Sequence, residues 1–133
     1  DTDHPTLFGG ITLTIPNTSI TGPLTYKEIW IQVTYYVDIN QAPIISVPGA
    51  TYLGGQTQLV EVVPSWGSWY LSQTMWRIEP NPVSETIVIT GHDSGSLIDQ
   101  IVVDTICVPE PVSLGLVAVG LVAVSYRRRR SGR

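Results

Sequence analysis

One short segment brings together the three side-chain types of a hydrolytic triad. Residues 91–96 read Gly-His-Asp-Ser-Gly-Ser, and a serine, a histidine and a carboxylate could together perform acyl transfer. A triad, however, needs side chains that converge from separate elements, whereas neighbours on one short loop usually point apart. The segment also lacks the Gly-x-Ser-x-Gly spacing of a nucleophile elbow. We therefore predict a plain hairpin loop here, not a catalytic site.

Oxygen and nitrogen ligands for a metal are sparse. Asp1, Asp3 and His4 could bind an ion, but they lie at a chain end that we expect to be frayed and solvated. Asp38 and Asn40 form a short oxygen pair without the remaining ligands of a calcium loop. The only candidates for paired catalytic carboxylates are scattered glutamates, and the sequence does not bring any two together. We predict no enzyme activity, no cofactor and no metal.

Aromatic side chains offer the better functional lead. Trp30 and Tyr36 fall on the more polar face of a long predicted strand, beside Gln32 and Thr34. Aromatic faces stack on sugar rings, so this pair is a candidate for carbohydrate stacking. A second group, formed by Trp66, Trp69, Tyr70 and Trp76, is more easily explained as packing between two sheets. Exposed, coplanar Trp30 and Tyr36 rings would favour a carbohydrate-binding module.

The elements that must position these residues are all strands. The side chains of residues 28–38 alternate between an apolar face, which includes Ile29, Ile31 and Val33, and a more polar face. This is the pattern of a half-buried strand. Shorter candidate strands are residues 11–15, 44–47, 57–63, 68–79, 85–90 and 97–106. Turn residues separate them, including Gly54-Gly55 and the loop 91–96, whose flanking strands suggest an antiparallel hairpin.

Seven short strands without a helical period predict an all-β fold. We expect an antiparallel β-sandwich of the jelly-roll or immunoglobulin type over residues 1–107. The single cysteine, Cys107, excludes a disulfide framework, and we expect it to be a buried small residue or incidental. The chain begins with Asp1 and shows no leader pattern, so we expect a removed signal peptide or an N-terminally truncated sandwich.

Charge divides the chain into two parts. Residues 1–107 contain ten acidic side chains against two basic ones, a net charge of −8, whereas residues 108–133 contain one acidic side chain and five arginines. An acidic body repels phosphate backbones, so we predict no binding of nucleic acid.

The C-terminal residues have the order of a membrane anchor. Residues 108–111 read Val-Pro-Glu-Pro, and two prolines in four residues predict a stiff extended linker. The uncharged apolar run 112–126 predicts a transmembrane helix of about 22 Å, short of the ~30 Å hydrocarbon core unless arginines snorkel. Arg127–Arg130 then stop transfer and stay cytoplasmic, which places the body on the other side.

These three parts together resemble the PEP-CTERM tail of exported proteins in Gram-negative bacteria. The resemblance covers residues 108–133 and rests on Val108, Pro109, Glu110 and Pro111, the apolar run and Arg127, Arg128, Arg129 and Arg130. It implies a transient inner-membrane anchor that exosortase, a membrane protease-transpeptidase, cleaves near residues 109–111. Members of the family often accompany exopolysaccharide and biofilm loci. An ordinary single-pass anchor is the alternative for this tail.

The sequence therefore predicts a non-enzymatic exported protein, delivered to the cell surface or the extracellular polysaccharide matrix. Exosortase is the implied partner, and exopolysaccharide is a candidate partner. Two alternatives stay open for the body: a carbohydrate-binding module at the same location, and the C-terminal fragment of a secreted hydrolase whose catalytic residues lie upstream of Asp1.

Overall fold

The part of the chain that the structure describes is built from strands. The computed structural model describes residues 6–7, 9–17, 25–38, 42–92 and 95–109. Over these residues it contains β1 (Thr6–Leu7), β2 (Gly10–Pro16), β3 (Thr25–Val37), β4 (Ile44–Ser46), β5 (Thr51–Val63), β6 (Gly67–Ile78), β7 (Ser84–Thr90) and β8 (Ser96–Pro109), and no helix. Every strand pairing is antiparallel. The predicted all-β antiparallel class is confirmed.

The strands form two sheets that share one core. The larger sheet has the order β1-β8-β3-β6-β5, and the smaller has the order β2-β7-β4. Ile29, Ile31 and Val33 of β3 are fully buried together with Ile87 and Ile89 of β7, which belongs to the other sheet. Because alternate residues of a strand point to opposite faces, the even-numbered side chains of β3 lie on the outer face of the larger sheet.

The predicted hairpin around residues 91–96 is wrong. β7 pairs with β2 and β4, whereas β8 pairs with β1 and β3, so the two strands lie in different sheets. The loop between them crosses from one sheet to the other. Glycine and polar residues are typical of both kinds of connection, so the local sequence did not distinguish them.

Gly54 and Gly55 lie within a strand, not at the predicted turn. β5 starts at Thr51, and its register with β6 shifts between Tyr52 and Gly54, which marks a bulge. Gly54 has a φ of +139°, a conformation that glycine adopts without strain. At Gly55, a Cβ atom would lie 2.6 Å from the backbone oxygen of Gln73. The prediction of a turn failed because glycines mark bulges as well as turns.

Replacing Gly55 with alanine should lower the free energy of unfolding by about 1–3 kcal/mol, since the new methyl group overlaps a backbone atom of the neighbouring strand. Gly9→Ala is the matched control, because a Cβ atom there meets nothing within 4 Å. Urea denaturation of both variants measures the difference. Equal stability of the two variants would contradict the close approach of β5 to β6.

A buried ion pair joins the two sheets at one end of the sandwich. Lys27 Nζ of β3 lies 2.6 Å from Glu85 Oε1 of β7, and the two side chains are 2% and 0% exposed. The side chain of buried Asn81 accepts a hydrogen bond from Asn17 and lies 3.5 Å, through Nδ2, from the half-buried Cys107 Sγ. Cys107 and Lys27 are opposite each other across β8 and β3. No local pattern in the sequence indicated this polar cluster.

Candidate functional site

Side chains on the outer face of the larger sheet fall into rows that run across the strands. Strand register places Asp104 of β8, Trp30 of β3, Met75 of β6 and Gly54 of β5 side by side. Neighbouring strands lie ~4.8 Å apart, so this row, which we call the Trp30 row, is about 14 Å long. The smaller sheet covers the opposite face of the larger sheet, and in this row Trp30 and Asp104 are exposed while Met75 and Gly54 are partly exposed.

Trp30 is the most prominent side chain of this row. Its side chain is 52% exposed, although it lies on the central strand of its sheet. A groove of about 360 Å³ lies on one side, next to Gly54 and Gln73, and a second of about 320 Å³ lies on the other, next to Glu28 and Asp104. An exposed indole between two grooves offers its ring to a ligand that extends to both sides.

Glutamines form the next row along the strands. Gln32, Gln73 and Gln56 are aligned on β3, β6 and β5, two residues from the Trp30 row and therefore about 7 Å from it. All three line the larger groove. Gln56 Nε2 donates a hydrogen bond of 2.8 Å to Gln73 Oε1, which fixes both amides at the surface. Side-chain amides donate and accept hydrogen bonds, as hydroxyl-rich ligands require.

On the other side of the Trp30 row from the glutamines lies an ion pair that contacts an aromatic ring. Arg77 Nη2 donates a 2.8 Å hydrogen bond to Glu28 Oε1, and the guanidinium carbon lies 4.2 Å from the centre of the Tyr26 ring. The hydrogen bond to Glu28 raises the pKa of the Arg77 guanidinium above its ordinary value. The Arg77 guanidinium therefore stays charged, and its hydrogen bond holds Glu28, which lines the smaller groove, in place.

The predicted pairing of Trp30 with Tyr36 is not seen. Six residues along a strand separate them by about 20 Å, so the two rings do not form one platform. Tyr36 is half-buried and packs instead on Trp69 of β6, with ring centres 5.3 Å apart and planes at 58°. Of the two predicted stacking residues, Trp30 is exposed, whereas Tyr36 packs on a neighbouring ring.

The second aromatic group divides among three environments. Trp76 packs against the core, as predicted, with the Tyr52 ring 5.0 Å away at 62°. Trp66 is 76% exposed in the turn between β5 and β6, so core packing was wrong for this residue. Trp69 lies on the outer face. It shares that face with Leu71 and Met75, as expected, but the face points away from the core.

Three further residues of the site, Asp104, Gln73 and Gln56, could not be assigned to it from the sequence. They are brought together only by the pairing of β3 with β8 and β6, and of β6 with β5. Each of the three alternates along its strand with inward-facing residues, so the period of two could have identified it as a surface residue. Nothing in the sequence indicated which of these surface residues would be neighbours.

The catalytic and metal candidates lie largely outside the residues that the structure describes. This is the case for Asp93, Ser94, Asp1, Asp3, His4 and Asn40. His92 N donates a hydrogen bond of 3.2 Å to Ser96 Oγ, which is a contact within the loop and not a triad. Within the described ranges, no group of three or more histidine, cysteine or acidic side chains is placed to hold a metal ion.

The predicted sorting segment begins inside the sheet. β8 continues through Val108 and Pro109, whose backbones pair with Tyr26 and Thr25 of β3, so the strand ends two residues beyond the expected body. Within the described part of the chain, β1 pairs only with the other end of β8, so this end lies at an edge of the sheet, where a proline is tolerated. Glu110, Pro111, the predicted helix 112–126 and Arg127–Arg130 lie outside the described residues.

No helix capable of spanning a membrane occurs among the residues described. No curated protein and no solved structure matches the chain. A family model does match part of it: residues 108–130 match the PEP-CTERM protein-sorting motif. The resemblance that the tail residues indicated is thus confirmed, and this segment of the chain is a PEP-CTERM sorting signal of the kind found on exported proteins.

Proposed function

We propose that the chain is a non-enzymatic exported protein that exosortase cleaves at its C-terminal signal and delivers to the cell surface or extracellular matrix. The observation that carries this proposal is the match of residues 108–130 to the PEP-CTERM sorting motif. Such signals are processed by exosortase in general. In this proposal residues 112–126 hold the precursor in the inner membrane, with Arg127–Arg130 on the cytoplasmic side.

The position of the last strand supports processing at this point. β8 ends at Pro109, so cleavage after Pro109 leaves all the described strands in the released body. Cleavage further upstream would remove residues that pair with Tyr26 and Thr25 of β3. We therefore expect the cut on the C-terminal side of Pro109, where the strand has ended.

Expression of the precursor with and without exosortase tests the proposal. With the enzyme, we expect an intact mass that ends after Pro109 and release of the protein from the inner membrane. Glu110→Ala should retain the full-length mass in the membrane fraction, because it removes the charged residue between the two prolines. Glu61→Ala is the matched control, since Glu61 is an exposed acid of β5 far along the chain from the signal.

Two results would contradict the proposal. An unchanged mass in both strains would make the tail an ordinary anchor. Processing of the Glu110→Ala precursor at the rate of the Glu61→Ala precursor would remove Glu110 from the recognition motif.

We further infer that the sandwich is of the jelly-roll type, not the immunoglobulin type. A jelly roll is two Greek keys of eight strands folded into two sheets. The strand pairs β1–β8, β2–β7 and β3–β6 are nested as in a long hairpin that has been rolled up. β5 departs from this nesting, because it pairs with β6 and not with β4.

A second candidate function, carbohydrate binding at the same location, is favoured by the exposure of Trp30. A tryptophan that is 52% exposed on a central strand leaves apolar surface in water without filling the core. The two grooves and the glutamine row beside it supply hydrogen-bonding groups where a stacked sugar ring would present hydroxyls. Lectin domains also occur on jelly rolls, which is an analogy of fold alone.

A further inference from the structure

We propose that the Trp30 row binds an uncharged polysaccharide whose chain crosses the strands from Asp104 towards Gly54. This inference rests on the second candidate function and names its ligand class, its binding residues and the direction of the chain. It excludes acidic polysaccharides as ligands of this site.

The length of the site indicates a chain of sugars and not a single ring. Grooves of about 320 and 360 Å³ lie on opposite sides of the indole, so bound sugar units would continue past Trp30 in both directions. The floor of the larger groove is low on the β5 side because Gly54 has no side chain. A Cβ atom at this position would meet nothing within 4 Å. The row gives an extended ligand about 14 Å of continuous surface.

The side chains beside the row match the hydroxyl groups of such a chain. Gln32, Gln73 and Gln56 repeat at the strand spacing, ~4.8 Å, parallel to the Trp30 row. Each amide offers both a donor and an acceptor, and a hydroxyl group needs both. The hydrogen bond between Gln56 and Gln73 orients two of these amides before a ligand arrives, which lowers the entropy cost of binding.

The charges of the body exclude acidic sugars. Asp104 is exposed directly opposite Trp30, so a ligand carboxylate in the smaller groove would face a like charge. The body has two basic residues, and both are engaged: Lys27 is buried against Glu85, and Arg77 is bound to Glu28. Residues 1–107 therefore present a net charge of −8 to an approaching polyanion.

Affinity electrophoresis of the full chain tests this inference, in a detergent whose headgroup is not a sugar. The probes are hydroxyethylcellulose, laminarin and dextran as uncharged polysaccharides, with alginate as the acidic one. We expect Trp30-dependent retardation by at least one uncharged probe and no Trp30-dependent retardation by alginate, since the five arginines of residues 108–133 attract a polyanion by themselves. Trp30→Ala should weaken the binding about tenfold or more, as for other aromatic residues at the centre of an interface.

Trp66→Ala is the matched control, since Trp66 is even more exposed but lies in a turn away from the row. It should bind like the unchanged chain. Asp104→Asn should leave the retardation by the uncharged probe unchanged. It should increase the retardation by alginate, because it removes the negative charge opposite Trp30.

The outcomes distinguish an error in the ligand class from an error in the binding site or in carbohydrate binding itself. Trp30-dependent binding of alginate alone would overturn the ligand class and leave carbohydrate binding standing. Binding that Trp30→Ala and Trp66→Ala weaken equally would overturn the site. No retardation by any of the four probes would overturn both, whereas the sorting proposal is decided separately by the intact mass of the precursor.

Discussion

Replacing Lys27 with methionine should lower the free energy of unfolding by about 3–5 kcal/mol. The substitution leaves the Glu85 carboxylate buried between the two sheets without its cation, 2.6 Å from where Nζ had been. Among the residues that the structure describes, neither Glu85 oxygen has another hydrogen-bond partner to take over. Urea denaturation followed by tryptophan fluorescence measures the loss.

A double variant separates the charge from the packing. Lys27→Met/Glu85→Leu removes both charges and keeps apolar volume, so it should regain most of the lost stability. Arg77→Met is the control for an exposed pair, and it should cost at most about 1 kcal/mol, since the Arg77–Glu28 pair is partly solvated. If Lys27→Met cost no more than Arg77→Met, the buried pair would not be a link between the sheets.

Replacing Ile31 with alanine should lower the free energy of unfolding by about 2–5 kcal/mol. Ile31 is fully buried on β3, in the cluster that unites both sheets, and the smaller side chain leaves a cavity that the close-packed neighbours fill only in part. The same urea denaturation experiment measures the change.

Ile106→Ala is the matched control, because Ile106 lies on the outer face of the same sheet and is 57% exposed. A change within about 0.5 kcal/mol is expected there. Equal losses for the two isoleucines would mean that the inner and outer faces of the larger sheet have been assigned wrongly.

The class of fold and most of its strands could be predicted from periodicity. Burial of one face leaves a period of two in the sequence, which is clear at Ile29, Ile31 and Val33 and sufficient to find seven of the strands described. β1 was missed because two residues, Thr6–Leu7, are too few to show a period. The start of β5 was missed because the bulge at Gly54 interrupts its alternation.

Pairing between strands could not be predicted in the same way. The residues on both sides of the loop 91–96 alternate as hairpin strands do, yet β7 and β8 belong to different sheets. Which strand lies beside which depends on contacts between distant parts of the chain, and these leave no local pattern.

The candidate site was predictable in part for the same reason. Alternation placed Trp30 on the polar face, and the structure exposes it there. Its neighbours Asp104, Gln73 and Gln56 are set by register, which the sequence did not supply. For β6, residues on both faces are partly exposed, so periodicity did not show that Trp69 faces outward and Trp76 inward.

The position of β8 in the chain also makes completion of the larger sheet a late step of folding. β8 lies between β1 and β3 and makes most of the contacts on that side of β3, yet it is the last of the described strands to be synthesised. Until it is present, β3 has an open edge and the larger sheet stays incomplete. Because the sorting signal begins within β8, at Val108, the larger sheet is complete only when the first residues of the signal are also present. The strand that completes the edge of β3 and the start of the sorting signal are therefore one continuous segment.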